Sequence, residues 1–285
     1  MKIEVNGLTK KYGDKQALNN ISFTLDGPKI YGLLGRNGAG KTTFMDILSG
    51  QIVADDGEIR INGEKPFDNQ KLTESICLIK EGNNFKRELK IKNILKIYSC
   101  FYPNWDQAFA EGLIAEYNLD LNAKVKTLSK GMESALGITV GLASKAPITI
   151  FDEPYIGLDA PSRKRFYDIL IEEFQEEKRI FIFSTHLIDE VSLLFEEVLI
   201  LREGMLELHE QTDFLREKII SITGKEAEVQ AFISDKEVID QKKLAGMMTA
   251  YVYGTQEEAR ESGLIVEGIP IQDLMIYLTD RKRGA

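Results

Sequence analysis

Lys29-Ile-Tyr-Gly-Leu-Leu34 leads into Gly35-Arg-Asn-Gly-Ala-Gly-Lys-Thr-Thr43, and that into Phe44-Met-Asp-Ile-Leu-Ser-Gly50. Ile30 to Leu34 is a short apolar run and reads as a buried strand. Phe44, Ile47 and Leu48 recur at helical spacing, and Gly50 stands where a helix would stop. The pattern G-x-x-x-x-G-K-[ST] therefore falls between a strand and a helix, the setting in which it forms a phosphate-binding loop. Gly35, Gly38 and Gly40 let the backbone turn so that successive N–H groups of the loop, across Arg36, Asn37, Ala39 and Thr43 as well, point inward at phosphate oxygens. The helix N-terminus adds its positive end. Lys41 is placed to reach the outer phosphates, and the Thr42 hydroxyl to bind Mg²⁺.

Outward from this loop, size and composition set bounds. The chain has 285 residues, 45 acidic and 36 basic, for a net charge of −9. That length suits one large domain, or one domain with an appendage, and can bury a substantial core. The acidic balance argues against a surface built for nucleic acid. Cys77 and Cys100 match no zinc spacing and read as reduced intracellular thiols. The start of the chain alternates like a strand and carries no signal peptide. No run of about 20 apolar residues occurs, so work at a membrane would need another chain to hold this one there.

Before the loop, Ile3 and Val5, then Ile21, Phe23 and Leu25, alternate with polar neighbours as strands do. Tyr12 lies between them and suits either a platform for a nucleotide base or a half-buried strand-end tyrosine. After the loop, Glu58 to Ile61 forms a strand ending in an Asn62-Gly63 turn. Another follows at Ser75 to Ile79, with Glu81 in the polar loop beyond it. Residues 89–142 read as mostly helical, broken at Pro103-Asn104-Trp105-Asp106. Ser129 is a good N-cap for a helix with Glu133 in its first turn. Ile148-Thr149-Ile150-Phe151 is an apolar strand suited to a sheet buried on both faces, and it delivers Asp152-Glu153 at its end. In a protein with a phosphate loop, Asp152 would hold Mg²⁺ and Glu153 would polarise an attacking water. Asp159 is open to two roles, a contact at the site or simply the cap of the next helix. His186 falls at the tip of another buried strand, which favours a phosphate-facing role.

With these residues in place, the chain resembles the ATP-binding subunits of ABC transporters over residues 1–215. The resemblance rests on the ordered set Tyr12, Gly35 to Thr43, Glu81, Leu128-Ser-Lys-Gly-Met132, Asp152-Glu153, Asp159 and His186. It implies an α/β P-loop NTPase fold with a RecA-like core, an antiparallel β subdomain and an inserted helical subdomain at about 85–142. Residues 216–285 then form a small α/β extension, with strands near Thr249 to Tyr253 and Gly263 to Ile269 and a helix bearing Leu274, Met275 and Leu278. The resemblance also implies an ATPase using ATP and Mg²⁺, with Thr42, Asp152 and Glu81 at the metal and Glu153 and His186 catalytic. It implies a nucleotide sandwich dimer, with an identical or a second ATPase subunit, in which Ser129 and Gly131 contact ATP held by the partner's loop.

Two departures from the family pattern stand out. Lys130 and Met132 replace a glycine and a glutamine of the usual Leu-Ser-Gly-Gly-Gln signature, and Glu81 stands where glutamine is usual. These variants, with Phe101-Tyr-Pro-Asn-Trp105, look like the ATPases of ABC-2-type bacterial exporters of antibiotics and amphipathic peptides. The expected function is thus to power export through a separate transmembrane permease, on the cytoplasmic side of a bacterial membrane and without nucleic acid. The alternatives are an importer ATPase and a soluble ABC ATPase that takes no part in transport. Ribosome-associated ABC proteins resemble two cassettes in one chain, whereas one phosphate loop occurs here. Coiled-coil repair ATPases insert long heptad arms, and the interval from Lys41 to Ser129 carries none.

Overall fold

Alternation near the N-terminus yields a hairpin of β1 (Lys2–Tyr12) and β2 (Lys15–Asp26), closed by a turn at Gly13-Asp14. The computed structural model describes residues 1–261 and 263–280. β3 (Ile30–Leu34) is buried throughout and runs through the glycine-rich loop into α1 (Lys41–Leu48). β4 (Asp56–Ile61) pairs with the other edge of β1, giving an antiparallel sheet of order β2-β1-β4. α2 (Gln70–Thr73) and β5 (Ile76–Ile79) follow.

The helical interval contains α3 (Ile91–Phe101), α4 (Gln107–Glu116) and α5 (Lys130–Ala143). Asp106 caps α4 by accepting from Phe109 N at 2.9 Å, and Ser129 caps α5 by accepting from Met132 N at 3.2 Å. Each cap satisfies an N–H that the helix itself cannot. β6 (Ile148–Asp152), α6 (Ala160–Glu176), β7 (Ile180–Ser184), α7 (Ile188–Val191) and β8 (Glu197–Arg202) then alternate, and β9 (Met205–Gln211) turns back beside β8.

These strands form one six-stranded sheet of order β5-β6-β7-β3-β8-β9, in which all but β9 run parallel. Both faces of the parallel part are covered, which is why its strands read as near-continuous apolar runs. Ile148 and Ile150 pack toward α1 and the antiparallel sheet. Phe151 faces the other way, stacked on Phe183 at 5.2 Å and edge-on to Phe166 at 5.6 Å. Because the strands are parallel, their C-terminal ends share one edge. Leu33, Ser184 and Asp152 are register partners across β3, β7 and β6. The glycine-rich loop, Asp152-Glu153 and the Ser184-Thr185-His186 tip are brought together there, where open α/β sheets bind ligands.

After α8 (Thr212–Lys218), the chain forms β10 (Ile219–Lys225), α9 (Glu226–Phe232), β11 (Val238–Leu244), β12 (Met247–Tyr253), α10 (Gln256–Glu261), β13 (Ile265–Gly268) and α11 (Ile271–Asp280). Its four strands make an antiparallel sheet of order β11-β12-β10-β13. Ile220, Ile222, Val229 and Val252 close a small core of their own. Ile219, Ile239, Leu274 and Tyr277 instead join the main core. β12, β13 and α11 fall where the sequence predicts strands and a helix, whereas β10 and β11 fall where it predicts no strand. β11 is an edge strand whose last four residues are exposed, so it shows no apolar period. Positions 262 and 281–285 of the expected extension lie outside the described residues.

A buried ion group joins α5, α6 and β7. Lys145 Nζ lies 2.9 and 2.6 Å from the two carboxylate oxygens of Glu173. Arg179 Nη2 stands 3.6 Å from Glu173 Oε2 and donates to Leu142 O at 2.9 Å. Removing one member of such a group leaves the others charged and buried. Glu173→Ala is therefore expected to cost about 3–5 kcal/mol of stability, read as a lower urea midpoint at unchanged slope.

Candidate nucleotide-binding site

α1 starts at Lys41 with Gly40 as its N-cap, and no side chain caps its first turn. The N–H groups that open a helix lack partners within it and carry the positive end of its dipole, which suits an anion. Two glycines are fixed by their surroundings. Gly35 has φ 146, and a Cβ there would lie 2.3 Å from Leu201 O on β8. Gly40 has φ 108, and its Cβ would lie 2.4 Å from Ala17 O on β2. The loop is thus pressed between two strands, and Gly204 N also donates to Ala39 O at 3.0 Å. Lys41 Nζ reaches back to Gly35 O at 2.6 Å and Arg36 O at 3.3 Å. Burial lowers the Lys41 pKa, while the charges of Glu153 and Asp152 act to raise it.

The resulting pocket, about 300 Å³, is lined by Tyr12, residues 37–43, Glu81, Asp152 and Glu153. Lys15, Ala17 and Ser184 also line it, and none of these three was singled out from sequence. Lys15 and Ala17 arrive through the β1–β2 hairpin folding over the loop, a long-range event with no local signature. Tyr12, at the hairpin end, is 50 % exposed and lines the pocket.

At the floor, Thr42 Oγ1 donates to Asp152 Oδ2 at 3.1 Å. Burial raises the Asp152 pKa, the Thr42 hydrogen bond and the Lys41 charge oppose that, and the charge of Glu81 adds to it. A hydroxyl and a buried carboxylate side by side are hard oxygen donors that fit a divalent cation. Among the described residues, no group of three or more His, Cys, Asp and Glu side chains could hold a metal. An ion here would complete its shell with phosphate and water oxygens, as Mg²⁺ does.

Glu153 follows directly, in left-handed backbone at φ 52. Its N–H donates to Ser184 O at 3.0 Å, so β7 holds the turn. Such backbone in a non-glycine residue is costly and clusters at functional sites. His186 Nδ1 lies 2.7 Å from Glu153 Oε2, and a carboxylate can only accept, so Nδ1 carries the proton. Glu81 lies in the loop after β5, where Asn84 closes the turn on Lys80 and the Lys80 ammonium pairs with Asp46 of α1 at 2.6 Å.

Several expected site residues stand elsewhere. The Arg36 side chain turns from the pocket and pairs with Asp280 on α11. Asp159 caps α6, accepting from Ser162 N at 2.9 Å, and is not among the pocket-lining residues. Ser129 and Gly131, at the start of α5, also lie outside the pocket. Gly131 packs so closely that a Cβ would sit 2.4 Å from Gly157 O. Lys130 lines a neighbouring cleft, with Arg87, Glu133 and Glu81, which borders both.

The profile of the ABC transporter family matches residues 18–156. YdbJ of Bacillus subtilis, an uncharacterised ABC transporter ATP-binding protein, is 30 % identical over 268 residues, covering 93 % of this chain and 82 % of that one. This chain belongs to the ABC transporter ATP-binding proteins. A solved ATP-binding subunit of an ABC transporter superposes with a TM-score of 0.69 at 25 % identity, over 76 % of this chain and 92 % of that one. A dimeric cassette bound to ADP and phosphate shares the fold, with a TM-score of 0.66 at 22 % identity over 74 % and 98 %. Relatives carry names of both directions. The ribose import ATP-binding protein RbsA of Shouchella clausii is 30 % identical over 72 % of this chain and 43 % of itself. Nod factor export ATP-binding protein I of Rhizobium sp. is 29 % identical over 71 % and 68 %. This ABC ATPase therefore hydrolyses ATP to power transport. Among its described residues, no helix is long and apolar enough to cross a membrane.

Lys41 is the one expected phosphate-loop cation that lines the pocket. Lys41→Ala is expected to weaken ATP binding about ten- to hundredfold, the size of a lost charge-assisted hydrogen bond. Calorimetric titration checks this, and equal affinity in the variant would remove Lys41 from phosphate binding.

Proposed function

We propose that this ABC ATPase works as a sandwich dimer, homodimeric or paired with a second ATPase subunit, that drives export through a separate transmembrane permease. The observation that carries the dimer is the separation of two anion-suited helix starts. The start of α1 shares a pocket with Asp152 and Glu153, whereas the Ser129-capped start of α5 stands outside it. One chain does not fold α5 onto its own phosphates, so Ser129 and Gly131 serve the ATP of the other subunit. The dimeric cassette of the same fold supports this arrangement.

In this reading the loop N–H groups and Lys41 hold the phosphates, and Tyr12 lies under the base. Thr42 and Asp152 hold Mg²⁺, with Glu81 beside it. Mg²⁺ supplies charge neutralisation at the phosphate oxygens. Glu153 takes the proton of the attacking water, and His186 acts beside it. Glu81 sits in a loop next to Gly82, better suited to reporting nucleotide state to the permease than to fixing a water. Residues 1–215 form the ATPase domain, and 216–285 an extension that regulates it or supports the dimer. The subunit sits on the cytoplasmic face of the membrane. The exporter assignment, toward antibiotics or amphipathic peptides, rests on Glu81, the Lys130 and Met132 variants and the residue 101–105 segment.

Glu153→Gln is expected to slow hydrolysis about 10²–10⁴-fold while sparing ATP binding, and to trap an ATP-bound dimer visible by light scattering. Glu81→Gln should slow it far less. Equal losses in the two variants would reassign the base. Direction is tested by reconstituting the subunit with its permease in vesicles whose ATPase side faces out. ATP should then drive an amphipathic peptide inward, whereas ATP-driven efflux would mean import.

A further inference from the structure

Tyr155 lies two residues beyond Glu153 and is 2 % exposed. Nothing in the phosphate-loop chemistry requires an aromatic side chain there. Its hydroxyl donates to Glu153 Oε2 at 2.5 Å. The phenol oxygen of Tyr155 also faces Thr185 Oγ1 and accepts from His186 N at 3.2 Å. Thr185 Oγ1 itself accepts from Leu187 N at 2.9 Å, so its own proton is free to go to the phenol. A phenol has one proton to give and can accept two. Here both acceptances are filled by the β7 tip, and the one proton goes to Glu153.

The phenol is held there by more than these bonds. Ser134 Oγ on α5 donates to Ile156 O at 2.6 Å. Gly131 and Gly157 pack backbone to backbone. The Tyr155 to Leu158 turn is thereby clamped between α5 and β7. Burial, and next the charge of Glu153, push the phenol pKa far above its ordinary value, so it stays protonated and remains a donor.

We infer that Tyr155 is a positioning residue for the general base: its hydroxyl pins Oε2 of Glu153, together with His186 Nδ1, and thereby aims Oε1 at the attacking water. Two donors converge on Oε2. Neither engages Oε1, the oxygen left for a water proton. A carboxylate with one oxygen fixed by two donors loses rotational freedom, and a catalytic group must be held within a fraction of an ångström. The inference rests on the assignment of Glu153 as base and adds the group that holds it.

Tyr155→Phe keeps the ring and removes only the hydroxyl. In the full-length chain, kcat for ATP is expected to fall about tenfold or more, the scale of one hydrogen bond to a charged group. KM for ATP should stay within about twofold, because the phenol does not touch the nucleotide. In a Glu153→Gln background the same substitution should cause no further loss of the residual rate, since there is no carboxylate left to position. A wild-type kcat in Tyr155→Phe overturns the inference. So does a raised KM at unchanged kcat, or an equal fold-loss in both backgrounds, each of which marks a structural role. Full turnover in Glu153→Gln alone would instead overturn the base assignment itself, so the two failures are distinguishable.

Discussion

The N–H groups that open α1 find no partner inside their helix, and Gly40 offers no side chain to cap them. Leaving them available to an anion requires a loop that turns sharply and stays rigid. Contact from outside the loop provides this. The Leu201 carbonyl of β8 and the Ala17 carbonyl of β2 stand where Cβ atoms of Gly35 and Gly40 would be. Two strands of different sheets thus set the loop, and the main sheet and the antiparallel sheet must both form before the phosphate site exists. The parallel register then lines up the other groups, because Asp152 and Ser184 end their strands at the level of Leu33.

Electrostatics explains why this geometry favours a cation and a polyphosphate together. Glu81, Asp152 and Glu153 line a pocket whose cations are Lys41 and Lys15. Burial, and to a smaller degree the Glu81 charge, raise the Asp152 pKa, as expected for a carboxylate held away from water. A metal–nucleotide complex would set its cation against these carboxylates and its phosphates against Lys41 and the helix start.

The C-terminal sheet is joined to this machinery through packing as well as through the chain. Tyr277 of α11 stacks on Tyr251 at 4.1 Å, and both contribute to the main core or its margin. At the far end of α11, Asp280 pairs with Arg36 of the glycine-rich loop, and Arg202 donates to Leu278 O at 3.1 Å. The Arg36 side chain is thereby committed to the extension while its backbone serves the loop. An exposed pair of this kind contributes little stability.

The sequence by itself determined the parts whose cause is local. The strand, loop and helix around Lys41 carry their turn residues, apolar run and helical period in a row, and the Asp106, Ser129 and Asp159 caps are equally short-range. The buried parallel strands were legible because burial on both faces demands unbroken apolar runs. Tertiary structure alone decided what depends on distant segments meeting. Lys15 and Ala17 enter the pocket through a hairpin fold-over, and β11 forms against β12 with almost no apolar pattern of its own. Arg36 turns to α11, and Tyr155 meets Thr185 and His186, some thirty positions on, at the tip of β7. Local propensity acts within a few residues. Which side chain faces which is set by closing long loops and filling a shared core, and neither leaves a mark at any single position in the chain.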